Sequence, residues 1–262
     1  MAEAIKKDNA IVRTFKEGMF VLGEQFKFIV ETLRALPSAY RYRRDLMEQM
    51  YLIGAQSVII TSLAGLFMGI IFAIETGHRL ETFGAKLLVG RTTSLALIRE
   101  LGPVVSGLML AARTGAKNAS ELGSMSVSGQ IDALRAFGTN PLEKLAVPRL
   151  LAAMIMFLPL TVLADFIGLY GGMVVSDQWL HINQTFFWHS AISGLKLKDL
   201  FIGFVKPVVF GFFISMISCY YGLATTGGTV GVGRAAVNAV VVASTMVLFN
   251  DFILTKVVWA IL

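Results

Sequence analysis

The stretch YLIGAQSVIITSLAGLFMGIIFAI, residues 51–74, decides the fold class of this chain. It contains no charged residue and lies between Glu48 and Glu75. A helix of about 20 apolar residues crosses the hydrocarbon layer of a membrane, which is about 30 Å thick, because each residue adds about 1.5 Å. The run therefore predicts a transmembrane helix over Gln49–Ile74.

Four further apolar runs follow, each with one or two internal charges. They are Thr92–Ala112 with Arg99 and Glu100, Leu150–Val175 with Asp165, Leu200–Ala224 with Lys206, and Ala235–Leu262 with Asp251 and Lys256. The composition agrees with this, because only 15% of the 262 residues are charged, against about 25% in soluble domains. We predict an all-α integral membrane protein with five transmembrane helices. An ordinary soluble enzyme and a disordered protein are excluded.

The first 48 residues form a separate unit with mixed charge. Apolar residues recur there at intervals of three and four, and they are Ile11, Phe15, Met19, Leu22, Phe26, Ile29 and Leu33. This spacing predicts an amphipathic helix that ends before Pro37. Such a helix packs on a soluble core or lies in the membrane interface, and we favour the interface because no soluble core is evident. The predicted organisation is an N-terminal segment, 1–48, and a transmembrane domain, 49–262.

Lysine and arginine are distributed unevenly among the connections. Nine precede the first predicted span and five lie within 113–149, whereas the two alternate connections hold three and two. Because cytoplasmic segments near spans are enriched in these residues, we predict that the N-terminus and residues 113–149 are cytoplasmic. Five spans then place the C-terminus on the other side. The net charge of +6 is thus mostly a topology signal, since no basic–aromatic module for nucleic acid accompanies it.

The connection over 113–149 is long and patterned. Ser120 can cap a helix that runs to about Phe137, and Gly138 is typical of a helix end, so a helix is predicted over 120–137. Its apolar stripe and few charges would suit docking into a groove on another protein. The alternative is a helix that packs only on its own bundle.

A resemblance to a known family rests on Arg99–Arg149, which reads RELGPVVSGLMLAARTGAKNASELGSMSVSGQIDALRAFGTNPLEKLAVPR. The motifs E-x-G-P, A-A/G-R-x-G, E-L-G-x-M-x-V-x-x-Q-I-D-A-L, G-x-x-P and P-R follow one another, and then come DFIGLYGGMVV (165–175) and GGTVGVGRAAVNAVVVAS (227–244). On these motifs the chain resembles the MlaE family. Its members are the permease subunits of ABC transporters that work with MCE proteins and move phospholipids or other lipids across the Gram-negative envelope.

The resemblance implies a homodimer in the bacterial inner membrane, with a cytoplasmic N-terminus, an interfacial elbow helix, five spans and a periplasmic C-terminus. It makes 120–137 the coupling helix for a separate ATPase subunit, which would bind the ATP. A hexameric MCE protein would lie on the periplasmic side, and a STAS-type accessory subunit is a further candidate partner. The expected ATPase contacts are Glu121, Leu122, Met125, Gln130, Asp132 and Leu134. One departure is Ser128-Gly129, where the family usually has bulkier residues, and glycine weakens a helix interior by about 0.5–1 kcal/mol.

Glu100 at the start of E-x-G-P resembles the family glutamate near a lipid-binding cavity. Its alternative role is structural, paired with Lys206, Lys256 or Arg99. An internal charge in a span costs about 2.5–3.5 kcal/mol and therefore usually faces protein or water. Two acyl chains need an apolar, adaptable wall, and the candidates for it are Phe67, Met68, Ile71, Phe72, Leu80 and Phe83. The alternative for these residues is ordinary lipid-facing or core surface. By the same resemblance the first and fifth spans line the cavity, which favours Phe72, Leu80 and Phe83.

Three further predictions concern packing. Gly65 and Gly69 form a small-xxx-small pattern that allows two helices to approach closely. The glycines of 227–233 predict a flexible turn between the fourth and fifth spans, since no βαβ unit precedes them to make a dinucleotide site. The remaining internal charges are expected to pair within the bundle, without a catalytic role, and they are Asp165, Lys206, Asp251 and Lys256.

The sequence weighs against two other function classes. An intramembrane enzyme is disfavoured because His78, His181 and His189 fall in predicted external connections and lack acyltransferase or metal spacing. A channel or secondary transporter is disfavoured because no inverted repeat is found. The chain also lacks a G-x-x-x-x-G-K-[ST] motif, so the prediction is a non-catalytic lipid permease with no cofactor or metal of its own, driven by a partner ATPase.

Overall fold

Helices make up almost all of residues 23–261, which this computed structural model describes apart from the side chains of Val258, Trp259 and Ile261. Within that range there is no β-strand. The helices are α1 (23–34), α2 (Arg43–Thr82), α3 (Lys86–Val127), α4 (Gln130–Ala136), α5 (Leu142–Leu180), α6 (Gln184–Gly194), α7 (Leu197–Leu223) and α8 (Gly228–Ile261).

Five of these helices, α2, α3, α5, α7 and α8, are long and apolar enough to cross a membrane, as predicted. All five begin earlier than the hydropathy pattern indicated, and α3 continues well beyond the predicted end at Ala112. The apolar pattern marks only the part that fits the hydrocarbon layer, whereas a helix continues into water wherever capping and packing allow.

The amphipathic segment is described from residue 23 onward. Residues 23–34 are helical, and a 3₁₀ turn at Leu36–Tyr40, with Pro37 near its start, separates α1 from α2. The predicted helix positions Ile11, Phe15, Met19 and Leu22 lie outside the described residues. Phe28 of α1 packs edge to face on Tyr220 of α7, with ring centroids 5.9 Å apart.

The closest helix contact joins α2 to α5 through glycine. A Cβ atom at Gly69 would lie 1.9 Å from the carbonyl oxygen of Gly168, and one at Gly65 would lie 2.3 Å from that of Ala164. Real Cβ atoms do not approach backbone atoms so closely, so these positions accept only glycine at this helix spacing. The predicted role of Gly65 and Gly69 in close packing is confirmed.

Two predictions about the connections differ from the structure. No helix begins at Ser120, because α3 continues through it to Val127 and a separate helix, α4, begins at Gln130. The break falls at Gly129, whose φ of 75° is left-handed and cannot continue a right-handed helix. The predicted turn between the fourth and fifth spans is present but shorter than expected, because Gly227 and Gly228 have positive φ whereas α8 already includes Gly231 and Gly233.

Candidate functional site

Arg99 and Glu100 lie in a π-helical turn of α3, Leu97–Leu101. Pro103 follows two residues later and has no N–H to donate, so the ordinary helical hydrogen-bond pattern is interrupted there. The two charges face different partners. Arg99 Nε lies 3.3 Å from Asp199 Oδ1, whereas Glu100 faces Lys206 of α7.

Lys206 is the centre of a polar cluster inside the bundle. Its Nζ lies 2.5 Å from Glu100 Oε2 and 2.7 Å from Asp251 Oδ1, and it donates a hydrogen bond of 3.0 Å to Thr255 Oγ1. The Thr255 hydroxyl in turn lies 3.2 Å from both carboxylate oxygens of Glu100, to which it can donate. We call Glu100, Lys206, Asp251 and Thr255 the lysine cluster. It ties together α3, α7 and α8.

The acidic side chains of the lysine cluster are partly exposed, whereas the side chain of its lysine is buried. The side chain of Lys206 is 1% exposed, that of Asp251 19% and that of Glu100 40%. Lys206 lies nine residues past Leu197, about 14 Å along α7. The Glu100 side chain therefore reaches the surface of this chain partway along a span, where a polar group usually has a functional or pairing role.

The four internal charges expected to pair within the bundle do so only in part. Lys206 and Asp251 form an ion pair, whereas for Asp165 and Lys256 the structure shows other surroundings. The Lys256 ammonium lies 5.8 Å from the ring centroid of Phe252, a cation–π contact. Within the described part of the chain, Asp165 Oδ1 is buried without a hydrogen-bond partner.

Asp165 also explains the glycine of the E-x-G-P motif. A Cβ atom at Gly102 would lie 1.6 Å from Asp165 Oδ1. The carboxyl group of α5 therefore occupies the space that any other side chain at this position of α3 would need.

The six apolar residues expected in a lipid cavity do not gather around Glu100 within one chain. Phe67, Ile71 and Phe83 point outward, with 57%, 60% and 82% of their surface exposed. Met68 packs against Leu97 and Ile98, the residues just before the charged pair. Phe72 and Leu80 are half-buried, and Leu80 packs in a separate apolar cluster with Ala73 and Val89. Since Leu80 lies 13 residues beyond Phe67, about 20 Å along the helix, the six cannot share one small pocket.

The α4 end of the bundle carries an open surface pit of about 240 Å³. Its lining residues are Met125, Gln130, Ala133, Leu134, Phe137, Lys144 and Leu145. Phe137, just past the end of α4, is 85% exposed. We call this surface the α4 pit. An apolar pit with a protruding aromatic ring has the features of a protein-docking surface.

Among the six expected ATPase contacts, Met125, Gln130 and Leu134 line the α4 pit. Asp132 is exposed and pairs with Arg135, with Arg135 Nη1 3.0 Å from Asp132 Oδ1. Leu122 faces the interior, fully buried in an apolar cluster with Ile131 and Leu145, so it cannot touch another protein. It is buried because α3 is continuous here and this face of the helix lies against α7.

The remaining expected contact, Glu121, pairs inside the chain. Its Oε2 accepts from Arg149 Nη2 at 3.0 Å, and its Oε1 lies 3.7 Å from Lys117 Nζ. The sequence did not single out Arg149, because a charged residue at the end of an apolar run indicates only where a span ends. It did not single out Phe137, because the helix was expected to include that residue. The P-R motif and the aromatic residue before Gly138 could have indicated these two residues.

Comparison with known proteins places this architecture among transporter permeases. The family model described as "Permease MlaE" matches residues 46–257. A probable ABC transporter permease of Synechocystis is 38% identical, with 81% of each chain covered. One from Rickettsia typhi is 36% identical, covering 93% of this chain and 92% of the relative. The intermembrane phospholipid transport system permease protein MlaE of Haemophilus influenzae is 33% identical, covering 91% of this chain and 92% of the relative.

Proposed function

The chain belongs to the MlaE family of ABC transporter permeases, and from that premise we propose that it moves phospholipids or related lipids between the inner membrane and a periplasmic MCE protein. The family and the five apolar helices make it an integral inner-membrane protein. The observation that carries the proposal is the lysine cluster, whose partly exposed Glu100 side chain lies partway along the spans. Support for phospholipid as the cargo comes from the relative in Haemophilus influenzae, which is named for phospholipid transport.

The lipid cavity in this proposal forms between two copies of the chain. One copy leaves apolar side chains of α2 and α8 uncovered, among them Phe67, Ile71, Val241 and Phe252. Glu100 belongs to the rim of this cavity, and Met68 and Phe72 to its wall. Phe83 and Leu80 would line its end, since α2 carries them about 20 Å or more beyond Phe67. A homodimer that buries these faces would bring together apolar side chains that lie apart in a single chain.

Energy would come from a separate ATPase docked at the α4 pit. This chain has no P-loop motif, so ATP would be bound by the partner. Gln130, Asp132 and Leu134 of α4, with Met125 at the end of α3, offer the docking contacts. In this arrangement the segment 1–48, with α1 as the interfacial elbow, and the α4 pit are cytoplasmic, and the C-terminus is periplasmic. A STAS-type subunit is a further candidate on the cytoplasmic side.

Phe137→Ala is expected to weaken capture of the ATPase subunit by about tenfold or more. Exposed aromatic side chains at the rim of an apolar pit commonly anchor an interface, and truncating one costs about 2 kcal/mol or more. Affinity would be measured by biolayer interferometry with the detergent-solubilised permease. Leu197→Ala, which truncates an equally exposed apolar side chain at the other end of the bundle, is the matched control. Equal affinities of the two variants for the ATPase would contradict ATPase docking at the α4 pit.

Cysteine labelling tests the proposed topology. The lone cysteine, Cys219, is buried, so Cys219→Ser gives a background without reactive thiols. In this background Thr139→Cys, beside α4, is expected to react with a membrane-impermeant maleimide only in inside-out vesicles, and Lys196→Cys only in right-side-out cells. The reverse pattern would invert the proposed orientation.

Reconstitution tests the function itself. Proteoliposomes containing the permease, its ATPase and MCE subunits and a fluorescent phospholipid are expected to transfer lipid between the membrane and the MCE protein only with hydrolysable ATP. Transfer driven by an ion gradient without ATP would indicate a secondary transporter or channel. Lipid hydrolysis by the purified chain alone would indicate an intramembrane enzyme.

A further inference from the structure

Arg149 is a buried arginine at the α4 end of the bundle, next to the start of the apolar part of α5. It is only 7% exposed. Its guanidinium group makes two directed bonds, one from Nη1 to the Leu145 carbonyl at 2.9 Å and one from Nη2 to Glu121 Oε2 at 3.0 Å. The first bond fixes the arginine on its own helix, and the second reaches the end of α3, which leads into α4. We call these two residues the Glu121–Arg149 pair; its arginine is buried, whereas the Glu121 side chain is 37% exposed.

The end of α3 is held to α7 by direct packing. Gly222 of α7 leaves room for Leu122, whose Cβ would lie 2.7 Å from a Cβ at that glycine. Ser126 Oγ also donates to the carbonyl of Thr225 at 3.2 Å, just past the end of α7. These contacts fix α3 against α7 without involving α5.

The attachment of α3 to α5 is of a different kind. Apolar contacts join Leu122 of α3 and Ile131 of α4 to the cluster that contains Leu145 of α5, but such burial has no preferred direction. The Glu121–Arg149 pair supplies the direction, because a charge-assisted hydrogen bond is sensitive to angle and distance. Ion pairs of this kind often add little net stability. We therefore assign the geometry of the pair a positioning role.

We infer that Glu121 and Arg149 are positioning residues that fix the end of α3, which leads into α4, relative to α5, so that movement imposed on α4 and passed to α3 reaches the spans. The inference rests on the proposed docking of an ATPase at the α4 pit. It moves Glu121 from the docking surface to the internal link between that surface and the transmembrane domain.

The test measures lipid transfer and ATP hydrolysis in parallel in the reconstituted full complex. Glu121→Gln keeps the shape of the side chain and removes its charge, and we expect lipid moved per ATP to fall about fivefold or more, the lower end of typical coupling strengths. ATPase affinity is expected to stay unchanged. Glu75→Gln is the matched control, since Glu75 has a comparable pair with Arg79 on the exposed surface of α2.

The double variant Glu121→Gln/Arg149→Met guards against simple misfolding. Removing both charges avoids an unpaired buried guanidinium, so the complex should assemble with a melting temperature close to that of the parent. We expect this folded variant to hydrolyse ATP and still move about fivefold less lipid per ATP. Parental coupling in the double variant would overturn the inference and leave the proposed function intact. Failure to bind the ATPase in the unmodified chain would instead contradict the proposed function.

Discussion

Lys206→Met is expected to destabilise the fold strongly. The substitution leaves the Glu100 and Asp251 carboxylates close together partway along the spans, without the ammonium that lies 2.5 and 2.7 Å from them. Removing one partner of a buried ion pair costs about 3–5 kcal/mol, because the remaining charge is left uncompensated. The expected result is a large fall in the detergent melting temperature, measured by fluorescence-detected size-exclusion chromatography after heating.

Two further variants isolate the cause of this loss. Lys256→Met removes an ammonium from the same part of the bundle, but one that is exposed and contacts only an aromatic ring among the described residues, so it should change the melting temperature little. The neutral triple variant Glu100→Gln/Lys206→Met/Asp251→Asn should recover most of the lost stability, since no charge is left buried. A Lys206→Met protein as stable as the parent would mean that the cluster does not hold α3, α7 and α8 together.

The five spans could be predicted because hydrocarbon imposes one strong, local requirement on sequence. A charge-free run such as 51–74 has no other stable environment, and the structure has a span there. The ends of the helices could not be predicted by the same reasoning. Residues 113–127 are polar enough to leave the membrane, yet they remain helical because their inner face packs on α7 through Leu122 and Asn118.

The sequence showed which charged residues lie inside the spans, but it did not show which of them pair with one another. Glu100 had three candidate cations, and only the crossing of α3 with α7 selects Lys206. Asp251 and Lys256 are five residues apart, a spacing unsuited to a pair on one helix, and each indeed has another partner. The burial of Leu122 depends on α7, and the pairing of Glu121 with Arg149 depends on α5, 28 residues away. Local sequence patterns do not encode such contacts.

The break at Gly129 shows how a departure from family pattern can carry information. Ser128-Gly129 predicted a weakened helix interior, and the structure places a left-handed residue there that separates α4 from α3. The short helix can therefore turn relative to the long one. The Glu121–Arg149 pair holds the end of α3 to α5 on one side of this break, and on the other side Ile131 of α4 packs in the apolar cluster that contains Leu145 of α5.

Gly69→Ala is expected to be as damaging as a large core substitution although it adds one methyl group. The new Cβ would lie 1.9 Å from the Gly168 carbonyl oxygen and 2.6 Å from Gly168 Cα, and backbone atoms cannot move aside as a flexible side chain can. Separating α2 from α5 would lose contacts along both spans, so we expect a cost at or above the roughly 1–3 kcal/mol usual for overpacking. Gly233→Ala is the matched control, because it also lies in a spanning helix and has nothing within 4 Å of its added Cβ. That control should be neutral or stabilising by up to about 1 kcal/mol. Equal melting temperatures for the two variants would show that α2 and α5 are not held at the spacing described.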